Sequence, residues 1–163
     1  MEYKAEIAEG SICQLGTVVR DLEKAVINYY KDFNIGPWFF WDFKQPEFTD
    51  LYFRGKKVER YEFKLALALA GNVQYELVQP TFGIGTHTEF LEKKGEGLHH
   101  FKLYYKDIEK AIYNFKKKGF EVLQSGRYGD DIHAYLDSED KYGVIMEIGN
   151  NGDIGPYLKK YPL

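Results

Sequence analysis

Two stretches of the chain repeat one order of apolar and polar positions. The segment starting at Gln14 aligns with the segment starting at His100, with identical Asp, Glu, Lys and Ala at four places. Each copy begins with strand-like alternation, continues with an Asp, and then places apolar residues at helical spacing. An internal repeat of this kind indicates a duplicated supersecondary unit. The pattern therefore predicts two copies of one βαβββ-like unit.

The helix of each copy has a recognisable start and end. Asp21 and Asp107 precede the helical pattern, and a short carboxylate there can accept a hydrogen bond from an unpaired amide of the first turn. The first helix is expected to end near residues 34–37, and the second at Gly119, because Gly and Pro interrupt the pattern there.

Extended segments follow each helix. Gly71 and Asn72 indicate a tight turn between two of them. A short helix around Thr88–Lys94 is expected to bridge the copies, and the segment from Asn150 onward, which contains Gly and Pro, is expected on the surface. The predicted strands are Trp38–Lys44, Phe63–Ala70, Val73–Gln79, Glu121–Arg127, Ile132–Asp137 and Val144–Ile148, with a further short strand within Thr49–Lys57.

The repeat and the element order together predict an α+β fold with two tandem βαβββ modules. A chain of 163 residues suits one domain with a substantial core. We expect a single domain over 1–163, with module 1 at about 11–80, a linker helix at about 86–95, module 2 at about 97–149 and a C-terminal tail at 150–163.

Composition narrows the possible functions by exclusion. A net charge of -3 and a pI near 5.8 argue against a nucleic-acid-binding surface. No stretch approaches the roughly 20 apolar residues that span a bilayer, and residues 1–6 lack the apolar core of a signal peptide. The single cysteine, Cys13, cannot form an internal disulfide. We expect a soluble, cytoplasmic protein with no nucleic-acid or membrane partner.

Four polar residues occupy strand positions that are normally apolar. Gln14 and His100 are equivalent in the repeat, and Glu76 and Glu147 each lie in the last strand of a module. Side chains alternate between the two faces of a strand. Gln14, His100, Lys102 and Tyr104 should therefore project from the face that the helices leave open. If both glutamates project there too, four ligand-type groups converge in a sheet-lined cavity.

The two glutamates have two possible explanations. An unpaired buried carboxylate is costly, so it is protonated, paired or bound to a metal. A divalent cation would neutralise both, whereas Lys64, Lys102 or Arg127 could instead form ion pairs with them. Spacing alone leaves these alternatives equal, and the symmetry of the repeat favours the metal.

Several other residues are open to two interpretations. His99 is expected to be a packed core histidine, His87 to lie on the surface, and His133 to be a weak candidate for substrate contact. Arg127 and Tyr135 could bind a substrate carboxylate or phosphate. Alternatively, Arg127 forms a structural salt bridge and Tyr135 packs as a core aromatic residue. The aromatic residues between Trp38 and Phe53 are expected to form an oligomer interface with some pocket lining.

The segments that carry these residues resemble the vicinal oxygen chelate superfamily, which includes glyoxalase I, methylmalonyl-CoA epimerase and extradiol dioxygenases. The resemblance implies an eight-stranded, cup-shaped mixed sheet around a metal, with helices on its outer face. The family's ligand positions, on the first and last strands of each module, hold Gln14, Glu76, His100 and Glu147 here. The matching segments are Gln14–Lys24, Val73–Pro80, Gly97–Phe101 and Gly143–Ile148.

The resemblance also implies a chemistry. The Gln, Glu, His, Glu set is similar to that of some glyoxalase I enzymes, and the Gly-Leu-His-His run is similar to epimerases. A divalent metal ion (Zn, Ni, Co, Mn or Fe) would act as a Lewis acid towards an enediolate or enolate. Glu147, and after it Glu76, is the expected general base. Expected substrates are thiol adducts of 2-oxoaldehydes or acyl-thioesters, and the expected assembly is a homodimer.

Three alternatives accompany this lyase or isomerase. One is a methylmalonyl-CoA epimerase-like racemase. Another, of a different class, is a non-catalytic small-molecule-binding protein of the bleomycin-resistance type. The third is a structural domain with an internal polar network. An extradiol dioxygenase is disfavoured because Gln14 stands where a histidine is needed. Coordinating groups at all four positions favour an enzyme, since the binding proteins need no metal.

Overall fold

The chain folds into one large mixed sheet with four helices in its described part. The computed structural model describes residues 7–44 and 47–163. Residues 1–6, the segment without a signal-peptide pattern, lie outside the described residues. The strands are β1 (Ile12–Val18), β2 (Trp38–Phe43), β3 (Phe48–Phe53), β4 (Lys56–Lys57), β5 (Glu62–Ala70), β6 (Val73–Phe82), β7 (Gly97–Tyr104), β8 (Val122–Tyr128), β9 (Asp131–Leu136), β10 (Ile145–Gly149) and β11 (Lys159–Tyr161). The helices are α1 (Leu22–Phe33), α2 (Thr86–Lys94), α3 (Ile108–Lys117) and α4 (Glu139–Tyr142).

The sheet is built from two equivalent halves. Its strand order is β11-β2-β5-β6-β1-β7-β10-β9-β8-β3-β4. In each half the first strand pairs in parallel with the last, β1 with β6 and β7 with β10, and antiparallel pairing of β1 with β7 joins the halves. This confirms the predicted α+β fold with a mixed sheet. The short strands β3, β4 and β11 extend the eight strands of the two modules.

The helices pack on one face of the sheet and begin as the sequence predicts. Asp21 accepts a hydrogen bond from the Lys24 amide at 3.0 Å, and Asp107 accepts one from the Lys110 amide at 2.9 Å. Helix α1 covers a core that includes Trp38, and α3 covers a second core around the outer face of β9 and β10. Among the described helices, none has the length and apolar character needed to cross a membrane.

The sheet curls until its two ends meet. Only four positions separate β2 from β3 along the chain, yet β2 pairs with β5 in the first half and β3 pairs with β8 in the second. The rings of Phe43 on β2 and Tyr128 on β8 have centroids 4.3 Å apart. The result is a cup enclosed by a single chain.

Two β-bulges interrupt the central β1–β7 pair. On β1, Cys13 is an extra residue between Ile12 and Gln14, and on β7, His99 is an extra residue between Leu98 and His100. The two bulges occupy equivalent positions of the repeat, directly before Gln14 and His100. A bulge redirects side chains and often lies beside a functional site. Simple alternation therefore fails at these two positions.

The C-terminal tail is mostly exposed, as expected, but it also contributes to the fold. Its strand β11 pairs with β2, and its residues 150–155 form part of the cavity wall. The Trp41 indole donates a hydrogen bond to the Gly155 carbonyl at 3.0 Å, which fixes this segment against β2. The tail thus lies on the surface, as expected, and also closes one side of the cavity.

Candidate functional site

The inside of the cup is a cavity of about 1020 Å³. Pockets of this size accommodate small organic ligands. One side of the cavity is apolar and includes Trp41, Phe43, Phe48, Phe63, Leu65 and Tyr128. The other side is polar and includes Gln14, Glu76, Lys102, Asp131, His133 and Glu147.

Three of the four predicted ligand residues meet at one point. His100 Nε2 lies 3.2 Å from Glu76 Oε2 and 3.0 Å from Glu147 Oε2. All three residues are buried, and His100 has no exposed surface, since it lies behind the glutamates. They come from β7, β6 and β10. The parallel pairing of first and last strands in each half thus brings together residues that are far apart in sequence.

The fourth predicted ligand, Gln14, lies on the polar wall. Its amide nitrogen donates to Gln74 Oε1 at 2.6 Å, and Gln74 lies on the same face of β6 as Glu76, two positions earlier. This bond fixes the orientation of the Gln14 amide. Its oxygen accepts no hydrogen bond within residues 7–44 and 47–163, so it remains a free oxygen donor on the cavity wall.

The contacts of His100 with the glutamates are at ion-pair distance, but their angles fall short of good hydrogen-bond geometry. His100 Nε2 and Glu147 Oε2 are both fully buried and have no hydrogen-bond partner among the described residues. Unpaired buried polar atoms are costly and call for an explanation. Neighbouring donors on one divalent ion, each bonded at about 2.1 Å, lie about 3 Å apart. Each imidazole–carboxylate distance therefore fits a shared cation.

Lys102 supplies a buried positive charge beside Glu147. Its ammonium lies 3.4 Å from Glu147 Oε1 and 3.7 Å from Asp131 Oδ1. Burial opposes the ionisation of Glu147, but Lys102 and then His100 outweigh it and hold its pKa well below the usual range. For His100 too, burial works against the charged form, yet the glutamates raise its pKa to about 9. Of the three cationic partners proposed from the sequence, Lys102 is the one that forms an ion pair with a glutamate, and that glutamate is Glu147.

The two residues predicted to contact substrate, Tyr135 and Arg127, have different environments. Tyr135 lines the cavity, but its hydroxyl is 3.1 Å from His87 Nε2 and is already engaged. Arg127 is 42% exposed and lies 3.8 Å from Asp50, outside the residues that line the cavity. The structure gives no support for substrate contact by Arg127.

His87 is buried, so the prediction that it lies on the surface was wrong. It belongs to the first turn of α2, which packs against the cavity, and its Nδ1 lies 2.8 Å from the Tyr61 hydroxyl. Burial lowers its pKa to about 3. Sequence reasoning missed it because the Gly-rich approach to α2, residues 83–85, resembles a surface loop.

His87, His99 and His100 form a buried cluster. One ring nitrogen from each lies within 4.8 Å of the others. Both nitrogens of His87 are occupied by tyrosine hydroxyls, and no carboxylate belongs to the cluster. A divalent cation there would be fully desolvated with only neutral ligands, which is unfavourable. The glutamate side of His100 is the better cation site.

The aromatic run after α1 divides between two environments. Trp41, Phe43 and Phe48 line the cavity, whereas Trp38 and Phe40 pack in the core under α1. This alternation along β2 accounts for the predicted pocket lining. The predicted oligomer interface stays a prediction.

Comparison with known proteins agrees with this architecture. Residues 13–135 match the family model described as "Glyoxalase/Bleomycin resistance protein/Dioxygenase superfamily". The chain belongs to this superfamily. The match confirms the resemblance to vicinal oxygen chelate proteins, and it includes the strands that carry Gln14, Glu76 and His100.

One relative in sequence is the "Uncharacterized protein YqjC" of Bacillus subtilis (strain 168). It is 27% identical over 95 residues, which cover 56% of this chain and 67% of the relative. Two solved structures show the superfamily fold at low identity. A hypothetical protein, BH1468, from Bacillus halodurans C-125 has a TM-score of 0.63 and 18% identity, covering 88% of this chain and 95% of its own.

The other is a methylmalonyl-CoA epimerase variant from Streptomyces coelicolor in complex with 2-nitronate-propionyl-CoA. It has a TM-score of 0.64 and 20% identity, and the match covers 90% of this chain and 98% of the epimerase. At this identity the likeness concerns the fold alone.

Proposed function

We propose that this protein is a metal-dependent lyase or isomerase of the glyoxalase I-like type. In this proposal it removes a proton from a carbon next to a bound oxygen and passes through an enediolate or enolate. The observation that carries the proposal is the position of His100 Nε2 between oxygens of Glu76 and Glu147, at 3.2 and 3.0 Å, with poor hydrogen-bond geometry.

The charges of the polar wall support a divalent cation. Glu76, Glu147 and Asp131 contribute three formal negative charges, and Lys102 contributes one positive charge. The remaining two negative charges, deep inside the protein, match one divalent cation together with a neutral His100. Buried charges are tolerated when they are paired or coordinated.

The proposed ligands are Gln14, Glu76, His100 and Glu147. One imidazole nitrogen and three side-chain oxygens suit Zn, Ni, Co, Mn or Fe(II). When bound, such an ion supplies a Lewis acid that stabilises negative charge on an adjacent substrate oxygen. The apolar wall around Phe43 and Phe63 excludes water from the substrate and strengthens these electrostatic interactions.

The two glutamates are not equivalent as bases. Lys102 lies beside Glu147 and stabilises its carboxylate, which makes Glu147 the weaker proton acceptor. No described ion pair joins Glu76 to a lysine or arginine; its close cationic partner in the described part of the chain is His100. We therefore place Glu76 first as the general base and Glu147 second, which reverses the order expected from the resemblance.

The epimerase-like racemase is the second candidate. It is favoured by the two carboxylates that flank one imidazole nitrogen, since a racemase needs one group to remove a proton and another to return it. Candidate substrates are thiol adducts of 2-oxoaldehydes for the lyase and acyl-thioesters for the racemase. We also propose a cytoplasmic location and a homodimer, on the grounds of composition and family.

Metal content and substrate turnover test the proposal. We expect near-stoichiometric metal by elemental mass spectrometry in protein purified without chelators, and its loss in His100→Ala. Loaded protein is then assayed with the glutathione hemithioacetal of methylglyoxal and, by deuterium exchange in NMR, with methylmalonyl-CoA. Protein that binds no Zn, Ni, Co or Mn would overturn the proposal in favour of the non-catalytic binding protein.

A further inference from the structure

His99 and His100 are joined by an unusual contact. Their Nδ1 atoms lie 2.9 Å apart, and the two rings are nearly perpendicular. Adjacent residues of a regular strand point to opposite faces. The contact exists because His99 is the extra residue of the β7 bulge, which redirects its side chain.

A hydrogen bond between two imidazole nitrogens requires one proton and one lone pair. If His100 Nε2 coordinates a cation, its proton must be on Nδ1. If no cation is present, an imidazolium paired with the two glutamates also carries a proton on Nδ1, whereas a neutral ring protonated on Nε2 would instead accept there. In the cation-bound and imidazolium states His100 donates, so His99 Nδ1 accepts.

The surroundings of His99 agree with an accepting, uncharged ring. His99 has no exposed surface, and burial, with His87 and His100 nearby, lowers its pKa well below the usual range. With Nδ1 as the acceptor, its proton lies on Nε2, and a hydrogen bond of poor geometry to the Thr86 backbone favours a protonated ring nitrogen there. Phe90 packs edge-on against the ring, with centroids 5.2 Å apart.

We propose that His99 is a positioning residue that holds its proton on Nε2, accepts from His100 Nδ1–H, and thereby keeps the His100 Nε2 lone pair directed at the cation site. The positioning role rests on the proposed function, because it needs a cation at His100 Nε2. The assignment of the tautomers does not depend on that function. Metal-ligating histidines generally donate their second N–H to a carboxylate, a carbonyl or water. A neutral imidazole in this role adds no further negative charge beside three buried carboxylates.

The tautomers can be read directly from metal-free protein. The chain has four histidines, and two-bond ¹H–¹⁵N spectra of the uniformly labelled protein distinguish protonated from unprotonated ring nitrogens. Single variants at His87 and His133 assign the remaining signals. We expect an unprotonated Nδ1 on His99 and a protonated Nδ1 on His100. A protonated Nδ1 on His99 would overturn the proposal.

Zinc affinity supplies the second readout. His99→Leu removes the acceptor and is expected to weaken Zn²⁺ binding, measured by chelator competition, by about 10- to 100-fold. His99→Asn places an amide oxygen near the Nδ1 position and should stay within about threefold of the parent affinity. Tyr61→Phe is the matched control. It removes a buried hydroxyl that contacts His87 and does not contact His100.

The outcomes are separable. Unchanged zinc affinity in His99→Leu, or an equal loss in Tyr61→Phe, would overturn the positioning role. If His99→Leu fails to fold by circular dichroism, the tautomers of the parent protein and the affinity of His99→Asn decide. If the parent protein binds no zinc, the proposed function fails, while the metal-free spectra still decide whether His99 is the acceptor.

Discussion

Gly16 on β1 lies directly opposite His100 on β7, and the His100 imidazole occupies the space where a side chain at Gly16 would be. A Cβ atom added to Gly16 would lie 1.9 Å from His100 Cε1 and 2.2 Å from Nε2. The ring rests on the bare backbone of β1. The position of His100 therefore requires a residue without a side chain at position 16. The requirement is steric and does not come from the backbone angles of Gly16.

Gly16→Ala is expected to displace the His100 ring from the glutamates. We expect Zn²⁺ affinity to fall by at least tenfold, and the free energy of unfolding to fall by about 1–3 kcal/mol because of overpacking. Competition titration and urea unfolding measure the two effects. Gly97→Ala is the control, since its Cβ would approach only the Phe90 ring, at 4.0 Å. Equal behaviour of the two variants would contradict the packing argument.

Lys102→Met is expected to destabilise the metal-free protein strongly at neutral pH. It leaves Glu147 and Asp131 buried without their cation, and removing one member of a buried pair costs about 3 kcal/mol or more. The pKa values of both carboxyls are lowered in the folded protein. Their contribution is therefore present above about pH 4 and is lost as the pH falls.

Urea unfolding at pH 7 and pH 3 tests this, and the difference from the parent protein should shrink at the lower pH. Lys106→Met removes the same charge from an exposed side chain at the cavity rim, where the cost should stay within about 0.5 kcal/mol. A difference that does not shrink at all between pH 7 and pH 3 would show that Lys102 acts through packing and not through charge.

The metal-free protein is expected to lose stability in alkaline solution. The pKa of His100 is raised to about 9, above the ordinary value of about 6.5. Its protonation thus stabilises the fold fully below pH 6.5, and this contribution is lost as the pH rises through 9. The difference corresponds to about 3 kcal/mol.

Urea unfolding of chelator-treated protein between pH 6 and pH 10 measures the loss. His100→Gln should flatten the profile, because the titrating group is gone. Zinc-loaded protein should also lack the decline, since a coordinated imidazole is neutral throughout. An identical decline in His100→Gln would assign the effect to another residue.

The repeated helix caps should contribute equally. Asp21→Ala and Asp107→Ala each remove a side-chain hydrogen bond to the first turn of α1 or α3, which costs about 1 kcal/mol. Thermal unfolding should show two similar decreases in melting temperature. Asp32→Ala is the control, at an exposed position near the end of α1. Its melting temperature should equal or slightly exceed that of the parent protein, because a carboxylate there opposes the helix dipole.

Local pattern predicted the main helices and strands of both modules, though not the short helix α4, and it predicted the face on which the polar wall lies. Alternation along β7 places Lys102 and Tyr104 on the cavity side, as expected, and both Asp caps follow from the residue type alone. The tight turn at residues 71–72 separates β5 from β6 as predicted.

Three features that could not be predicted from the sequence depend on tertiary contacts. The bulges at Cys13 and His99 break the alternation on which side-chain placement was argued, and no residue type signals them. The burial of His87 requires the docking of α2 against the cavity. Likewise, the ion pairs of Lys102 were one option among three lysine and arginine candidates until the curvature of the sheet was known.

The β2–β3 crossing sets an order of events during synthesis. Strand β3 pairs with β4 in the first half of the chain but with β8 only in the second. Phe48, which is buried in the folded protein, therefore lacks its partner strand while the first half leaves the ribosome. Contacts between distant segments form slowly and leave apolar surface exposed in the meantime. The cavity wall also includes residues of β9, β10 and the tail. A nascent first half therefore has no enclosed cavity, and the wall is complete only after residue 155 has been synthesised.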